Sequence, residues 1–427
     1  MLMALQLYYL GVAGALLVYG LRTPRHALRA FPAGIALNIF PLALLPYLSM
    51  DVARLGGLPL VYLPVMAVGL ALIARNGMRL PRRHTALHVL ACIYLIYTFC
   101  NTVLLHGISA GNLVYWLAWP LNVAMFIAAA ATVGRMDPGF VDRVLEGCVL
   151  LMTAAALVGL ARFAAGIGDD ANFMPVMNRN GTVVLLTLLF PVVFHVYDTQ
   201  GKSRRWLLLC AGTIALCVAL TFSRSGLIGL AAGVLLYYGR FSLTGLLKAA
   251  AGVIVVALFL NTGVTERTAE RLFTTSGTVS ALFDGRELDR SVGDYNRLHL
   301  VNSALDTARE HFWFGTGLGM TNYREGLRRA GHGEVTSKAH NFYISYFAEL
   351  GVVGFMLLLA MLQRIYAGLP PLGSRYRAFR VSFLVMALMM TMNEYILLPE
   401  LWLFFGMLAG LSHRVRAMQP CSRSRHG

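Results

Sequence analysis

Apolar runs of about 15 to 23 residues recur along the chain, each long enough to cross or nearly cross a bilayer as a helix. They fall near 2–21, 31–49, 57–74, 85–105, 111–134, 144–165, 180–198, 206–222, 225–239, 247–263, 341–363, 381–396 and 398–412. Inside hydrocarbon a backbone must satisfy its own hydrogen bonds, and a helix does so within one segment. The period-2 alternation of barrel strands is absent. Only 13% of the 427 residues are charged and mean hydropathy is +0.64, against about 25% charged for ordinary soluble domains. The fold class that follows is an all-α polytopic membrane protein. Thirteen spans with a cytoplasmic tail put the N-terminus outside, and twelve put both ends inside; the sequence leaves that choice, and the oligomeric state, open.

The net charge of +16 is a topology signal, not a nucleic-acid footprint. Basic residues cluster in alternate loops: Arg22, Arg25 and Arg29; Arg75, Arg79, Arg82 and Arg83; Arg135 and Arg143; Lys202, Arg204 and Arg205; Arg240 and Lys248; Arg364, Arg375, Arg377 and Arg380; and the tail from Arg414 to Arg425. By the positive-inside rule these loops are cytoplasmic. The first apolar run lacks a basic leader and a small-residue cleavage site, so it reads as a retained helix. Of the six cysteines, five lie in or beside apolar runs and Cys421 is in the tail; there is neither a disulfide framework nor a CxxC spacing.

The remaining loops face outward, and one, 264–340, is large. Loops beyond about 15 residues are uncommon unless functional. Within it, 264–273 reads as a short amphipathic helix and 277–293 as Gly/Ser-rich irregular chain. The stretch 294–312 reads as a helix with Asp294 as N-cap and Leu298, Val301, Leu305 and Ala308 on one face. The chain thus divides into ten apolar segments over 1–263, the external loop 264–340, the last spans over 341–412 and a basic tail, 413–427. After the loop helix comes WFGTGLG, with glycines at 315, 317 and 319. No strand precedes it and it lies outside, so a tight turn beside a ligand fits better than a nucleotide loop.

Basic residues on the outer side run against the topological bias and are therefore informative. Arg224 sits at an external junction between two spans, Arg297 on the loop helix, and Arg179 just before another span. Each has a bland reading as a snorkelling or solvated arginine. A half-buried guanidinium in a membrane is costly unless paired, and an anionic ligand would supply the pair. Its planar fork suits phosphate, although with 33 arginines and 3 lysines residue choice alone says little. His340 stands where the loop enters the next span. It reads either as a cap or core residue or as a general base, since imidazole titrates near neutral pH. Asn341 and Tyr343 are near enough in sequence to orient it. The external His299, His311 and His332 are scattered without metal-ligand spacing. Asn393 and Glu394, near the outer end of the penultimate span, could contact a sugar or pair an arginine.

His340-Asn341, nine residues, then Gly351-Val352-Val353-Gly354 resembles the H-[NSQ]-x9-G-x-x-[GTY] pattern of bacterial O-antigen ligases. Their superfamily also holds O-antigen polymerases and protein O-oligosaccharyltransferases. SRSGLIGL at 223–230 is similar to the family's Ser-Arg-rich span start, and 296–319 is similar to its segment ending in G-x-G-x-G, with Phe312 in place of the usual proline. The likeness covers roughly 177–412. It implies a 12-helix inner-membrane glycosyltransferase of Gram-negative bacteria with its site facing the periplasm, needing neither metal nor cofactor. The donor would be O-antigen on undecaprenyl pyrophosphate and the acceptor lipid A–core. By position, His340 would be the general base, and Arg224 and Arg297 would hold the departing pyrophosphate, with Arg179, Asn341 and Glu394 as possible further substrate contacts.

One large external loop favours a ligase over a polymerase, which the resemblance would give two, and no added C-terminal domain suggests a protein transferase. From a different class, a lipid or solute transporter would gather its ionisable groups near the membrane midplane. Here they gather at the outer boundary.

Overall fold

The computed structural model describes residues 2–44, 54–55, 58–59, 62–76, 85–105, 107, 109–167, 171, 179–200, 205–239 and 293–418. Their helices are α1 (Leu2–Arg22), α2 (Pro24–Leu44), α3 (Leu63–Asn76), α4 (Thr85–Phe99), α5 (Ala110–Val133), α6 (Pro138–Ala164), α7 (Arg179–Gln200), α8 (Trp206–Leu220) and α9 (Arg224–Tyr238). The loop contributes α10 (Gly293–Glu310) and α11 (Met320–Arg329). α12 (Phe342–Gly368), α13 (Arg377–Met389) and α14 (Pro399–Met418) complete the bundle. A two-residue antiparallel pair, Arg54–Leu55 with Leu58–Pro59, precedes α3. Among the described residues, five helices are long and apolar enough to cross a membrane: those at 86–103, 111–133, 138–164, 180–199 and 342–368. Shorter apolar helices lie at 63–76, 206–220, 224–238 and 399–412. The tenth apolar run, 247–263, and the loop stretch 264–292 lie outside the described residues.

Local chemistry sets several boundaries. Ser109 and Asp137 cap α5 and α6 by accepting the N–H groups of Asn112 and Phe140, and Pro138 opens α6, where its missing N–H costs nothing. α14 lies along α5 because Gly406 and Gly410 let the two backbones approach. A Cβ at Gly406 would meet Ala129 Cβ at 2.9 Å, and one at Gly410 would meet Val133 Cβ at 2.9 Å. Trp119 of α5 is fully buried and makes edge contacts with Tyr94 of α4, Tyr346 of α12 and Trp402 of α14.

The two ends of the bundle differ in chemistry. At one end Arg75 donates to the carbonyls of Leu21 and Arg22, Arg375 to Thr199, and Arg380 to Leu369, while Arg377 approaches Asp198 at 3.8 Å. This is the arginine-rich end that the positive-inside pattern assigns to the cytoplasm. The starts of α7, α9 and α12 and the end of α13 gather at the other.

Several expected boundaries are corrected. α3 starts at Leu63 rather than 57, after the small antiparallel pair. α4 passes into a π-helical turn, Cys100–Leu105, instead of running as one regular helix. The penultimate helix ends at Met389, not 396: Asn393 turns back to donate to the Met389 carbonyl, and 390–398 is irregular chain leading to α14. α10 begins at Gly293, so Asp294 lies inside it rather than capping it. Its buried face is centred on Ser303, Ala304, Thr307 and Ala308, and Leu298, Val301 and Leu305 are only half-buried. Small residues face inward because α10 packs closely on α11 and the first turns of α12, where Tyr323, Leu327, Val335, Ala339 and Ala348 complete a second apolar cluster.

Candidate functional site at the outer end of α12

α12 is broken one-third of the way along. Gly351 has φ 62 and ψ −177, a conformation open essentially to glycine alone. Such a break leaves carbonyls and N–H groups without helical partners, and the WFGTGLG stretch supplies them. Thr316 N–H donates to Ala348 O at 3.0 Å and Gly317 N–H to Glu349 O at 2.9 Å. In return Val352 N–H donates to Phe312 O at 2.8 Å and Val353 N–H to Trp313 O at 3.3 Å. Tyr97 closes the last gap, its hydroxyl donating to Leu350 O at 2.6 Å. The glycines at 315, 317 and 319 all carry positive φ (71, 82 and 106). They form a strap that lies on backbone, not a phosphate cradle. The π-helical turn aims Asn101 and Thr102 at the same strap: Asn101 donates to Phe314 O, and Thr102 accepts Leu318 N–H at 3.0 Å. The two signatures of the sequence, His-Asn-x9-Gly and Gly-x-Gly-x-Gly, are therefore one structural unit.

His340 stands at the head of this unit. Its side chain is exposed and its φ is 52, one of two positive values among the described non-glycine residues. Asn341 is the N-cap of α12, its side chain accepting Ile344 N–H at 3.2 Å. Tyr343 donates to Ala387 O at 2.8 Å, and Phe342 N–H to Met390 O at 2.9 Å. The Tyr343 hydroxyl and the Phe342 backbone N–H fix the start of α12 to the end of α13; neither bond runs to the imidazole. The described part of the loop, 293–340, packs against the first turns of α12 beside His340.

Glu394 is partnered by a lysine. Lys338 Nζ lies 3.9 Å from Glu394 and 2.7 Å from Glu349, with 9%, 15% and 0% of the three side chains exposed. Glu394 also accepts the Ser345 hydroxyl and the backbone N–H groups of His340 and Asn341. Burial works against charge on Lys338, but Glu349 and Glu394 outweigh it and hold its pKa above the ordinary lysine value. Glu349 in turn accepts Gly319 N–H at 3.1 Å, which joins the network to the strap.

Arg224 begins α9, half-buried, and the adjacent Ser223 donates to Asn180 Oδ1 at 2.9 Å. The first turn of α7, where Arg179 stands, therefore meets the first turn of α9. Met389 at the end of α13 lies against both helices, its sulfur 2.7 Å from the Thr187 hydroxyl and 2.8 Å from a Cβ built on Gly229. Arg224 and His340 thus share one end of the bundle. Arg297 stands in the first turns of α10; its side chain and that of Arg179 lie outside the described residues.

Sequence reasoning passed over Lys338 and Glu349, though both left a signal. Lys338 is one of three lysines in an arginine-rich chain. Glu349 is an acid within an apolar span, a position where an ionisable side chain usually has a role.

Residues 206–359, from α8 past the break in α12, match the family model described as O-antigen ligase, which bears out the resemblance over that segment. The match takes in Arg224, the strap, Lys338, His340 and Gly351, and stops short of Glu394. No curated protein matches the chain. The family covers O-antigen ligases and polymerase-like enzymes, which makes a membrane-bound glycosyltransferase-like enzyme acting on lipid-linked polysaccharide the coarse assignment.

Proposed function

We propose that the protein is a metal-independent inverting glycosyltransferase that moves O-antigen polysaccharide from undecaprenyl pyrophosphate to lipid A–core at the periplasmic face of the inner membrane. The observation that carries this reading is His340, exposed in a positive-φ turn at the head of the family's motif, at the same end of the bundle as Arg224. In this reading about 12 helices embed 1–263 and 341–412, 264–340 faces the periplasm, and 413–427 is a cytoplasmic tail.

The chemistry asks little beyond a base and a place for the leaving group. The imidazole of His340 takes the proton of the acceptor hydroxyl as its oxygen attacks the anomeric carbon of the donor. The bond to the pyrophosphate oxygen breaks, and Arg224 and Arg297 stabilise the charge that collects there. Single displacement inverts the anomeric configuration. Arg179 is a further donor contact. Glu394 acts from beneath the base and Asn341 through the cap of α12, so both support the site instead of touching sugar.

The test is made in a strain lacking this gene, with wild type, His340→Ala and Arg224→Ala at matched membrane levels. Lipopolysaccharide is resolved by size and undecaprenyl-linked glycan is followed in the same cells. Long glycan stranded on the carrier beside bare lipid A–core is the expected result for both variants. Single repeat units on the carrier, with lipid A–core still receiving one unit, would identify a polymerase instead. Wild-type behaviour of His340→Ala would reduce the histidine to a turn residue and end the catalytic assignment.

A further inference from the structure

Lys338 joins three separate pieces of chain. Its ammonium pairs with Glu349 on α12 and Glu394 on the α13–α14 turn, and donates to the Tyr115 hydroxyl of α5 at 3.0 Å. It also sits over the rings of Tyr115, Tyr346 and Tyr323 at 4.7, 5.3 and 5.9 Å. Among the described residues, those three tyrosines, with Glu349 and Glu394, are the titratable groups in contact with it. Burying one ammonium with two carboxylates is expensive, and replacing such a cluster by apolar side chains is often neutral or better for stability. A fold needing only to be held together has cheaper solutions.

The far end of the cluster shows what it acts on. Across the positive-φ turn at His340 the N–H groups of residues 340 and 341 converge on one carboxylate, as in the small anion-binding concavities that backbone nests form. That carboxylate is Glu394. The carboxylate that Lys338 holds therefore grips the backbone of the very residue whose imidazole faces outward.

We propose that Lys338 is a positioning residue for His340: its ammonium fixes Glu394 in the concavity at residues 340–341, which sets the direction and the charge environment of the imidazole. The inference rests on the reading of His340 as the general base, but it concerns the state of His340 and can be measured without any glycan. Glu349 anchors the other side of the ammonium and, through Gly319, ties the base turn to the strap across the broken helix.

The experiment uses the full-length chain purified in detergent. Carbethoxylation of His340 by diethyl pyrocarbonate is followed by peptide mass spectrometry as a function of pH, with His299 and His332 as internal references. Lys338→Met leaves the carboxylates uncompensated and moves the His340 midpoint up by about one pH unit. The near-isosteric Glu394→Gln removes negative charge and moves it down by a similar amount. The double variant Lys338→Met/Glu394→Gln brings it back toward wild type, while the reference histidines stay put. In parallel, Lys338→Met lowers kcat for glycan transfer at least tenfold, with donor KM within twofold.

Equal midpoints in all variants, or shifts shared by His299 and His332, would overturn the proposal and leave the cluster as scaffold. Should Lys338→Met fail to fold, Glu394→Gln alone decides, because it keeps shape and removes only charge. If the opposite shifts appear but His340→Ala transfers glycan normally, the positioning stands and the function assigned to His340 falls. If His340→Ala abolishes transfer while Lys338→Met changes neither midpoint nor kcat, the reverse holds.

Discussion

Gly351→Ala is the substitution that most directly probes the site's architecture. At φ 62 and ψ −177 any side chain is strained, at a cost of about 1–3 kcal/mol. Space is also lacking: the new Cβ would overlap the carbonyl of Trp313 and stand 2.5 Å from Phe314 N. Those are backbone atoms that cannot swing aside, so the strap must lift. Lifting it at that point gives up the bonds from Val352 and Val353 to Phe312 O and Trp313 O, at ~1 kcal/mol net for each. Together these effects amount to roughly 3–5 kcal/mol. For a chain of this length that is a fall in melting temperature on the order of 5 °C. The assay is thermal unfolding in detergent beside glycan transfer in membranes. Gly212→Ala is the control, since a Cβ there meets nothing within 4 Å and its φ is not positive. The expected result is a lower melting temperature and loss of transfer for Gly351→Ala, with Gly212→Ala like wild type. If Gly351→Ala melts with the control and transfers normally, α12 tolerates straightening and the strap is not what holds the base turn.

Other outcomes follow from neighbouring geometry. His340→Gly should abolish transfer yet raise stability by up to ~1 kcal/mol relative to His340→Ala, since only glycine relieves the positive φ; calorimetry of the two variants checks this. Tyr97→Phe leaves Leu350 O without its donor across the break and should cost about 1–3 kcal/mol, measured by thermal unfolding. Glu325 is exposed, and bonds to Arg328 and Arg329 lower its pKa to about 2. Its folded pKa lies below its unfolded one, so any stabilisation is present above the ordinary glutamate range and is lost as pH falls toward 2. Glu325→Gln should therefore match wild type in transfer at pH 7 and show any melting difference in full above pH 4.5, shrinking as pH falls from there toward 2, in a series of melts across pH.

Much of the molecule could be read directly because bilayers impose long-range rules on short-range composition. Apolar run length marked α4 with its π-helical turn, α5 and α7 to α9 to within two residues, fell six short at the start of α6 and five short at the end of α12, and arginine placement separated the two ends of the bundle. What stayed hidden involves non-local backbone geometry. Nothing local says that Gly351 adopts φ 62, because glycine is common in the spans and only the strap, about 35 residues earlier, makes a break affordable. The reach of the penultimate helix was overstated for a related reason: 390–396 is apolar enough for a span, but Asn393 turns back onto Met389. α11 was missed because ten residues carry too few turns for periodicity to register, although its buried Tyr323 and Leu327 lie four apart.

The site residues divide along the same line. His340 and Arg224 could be singled out because a charged or titratable side chain at the outer boundary of an apolar span is conspicuous by itself. Lys338 and Glu349 sit only eleven positions apart, yet their pairing requires the loop to double back onto α12, and Glu394 reaches the same point from another helix pair. Each draws notice alone, but nothing in the sequence says that the three meet. Their joint effect is to place compensated charge under a residue in a strained turn. Packing alone constrains such a turn weakly at a membrane surface, since one side of it must stay open to the substrate. Directional, charge-assisted bonds to the N–H groups of residues 340 and 341 constrain it from below, while His340 itself stays exposed. A buried ammonium with two carboxylates therefore has a physical reason to lie next to the exposed His340 turn.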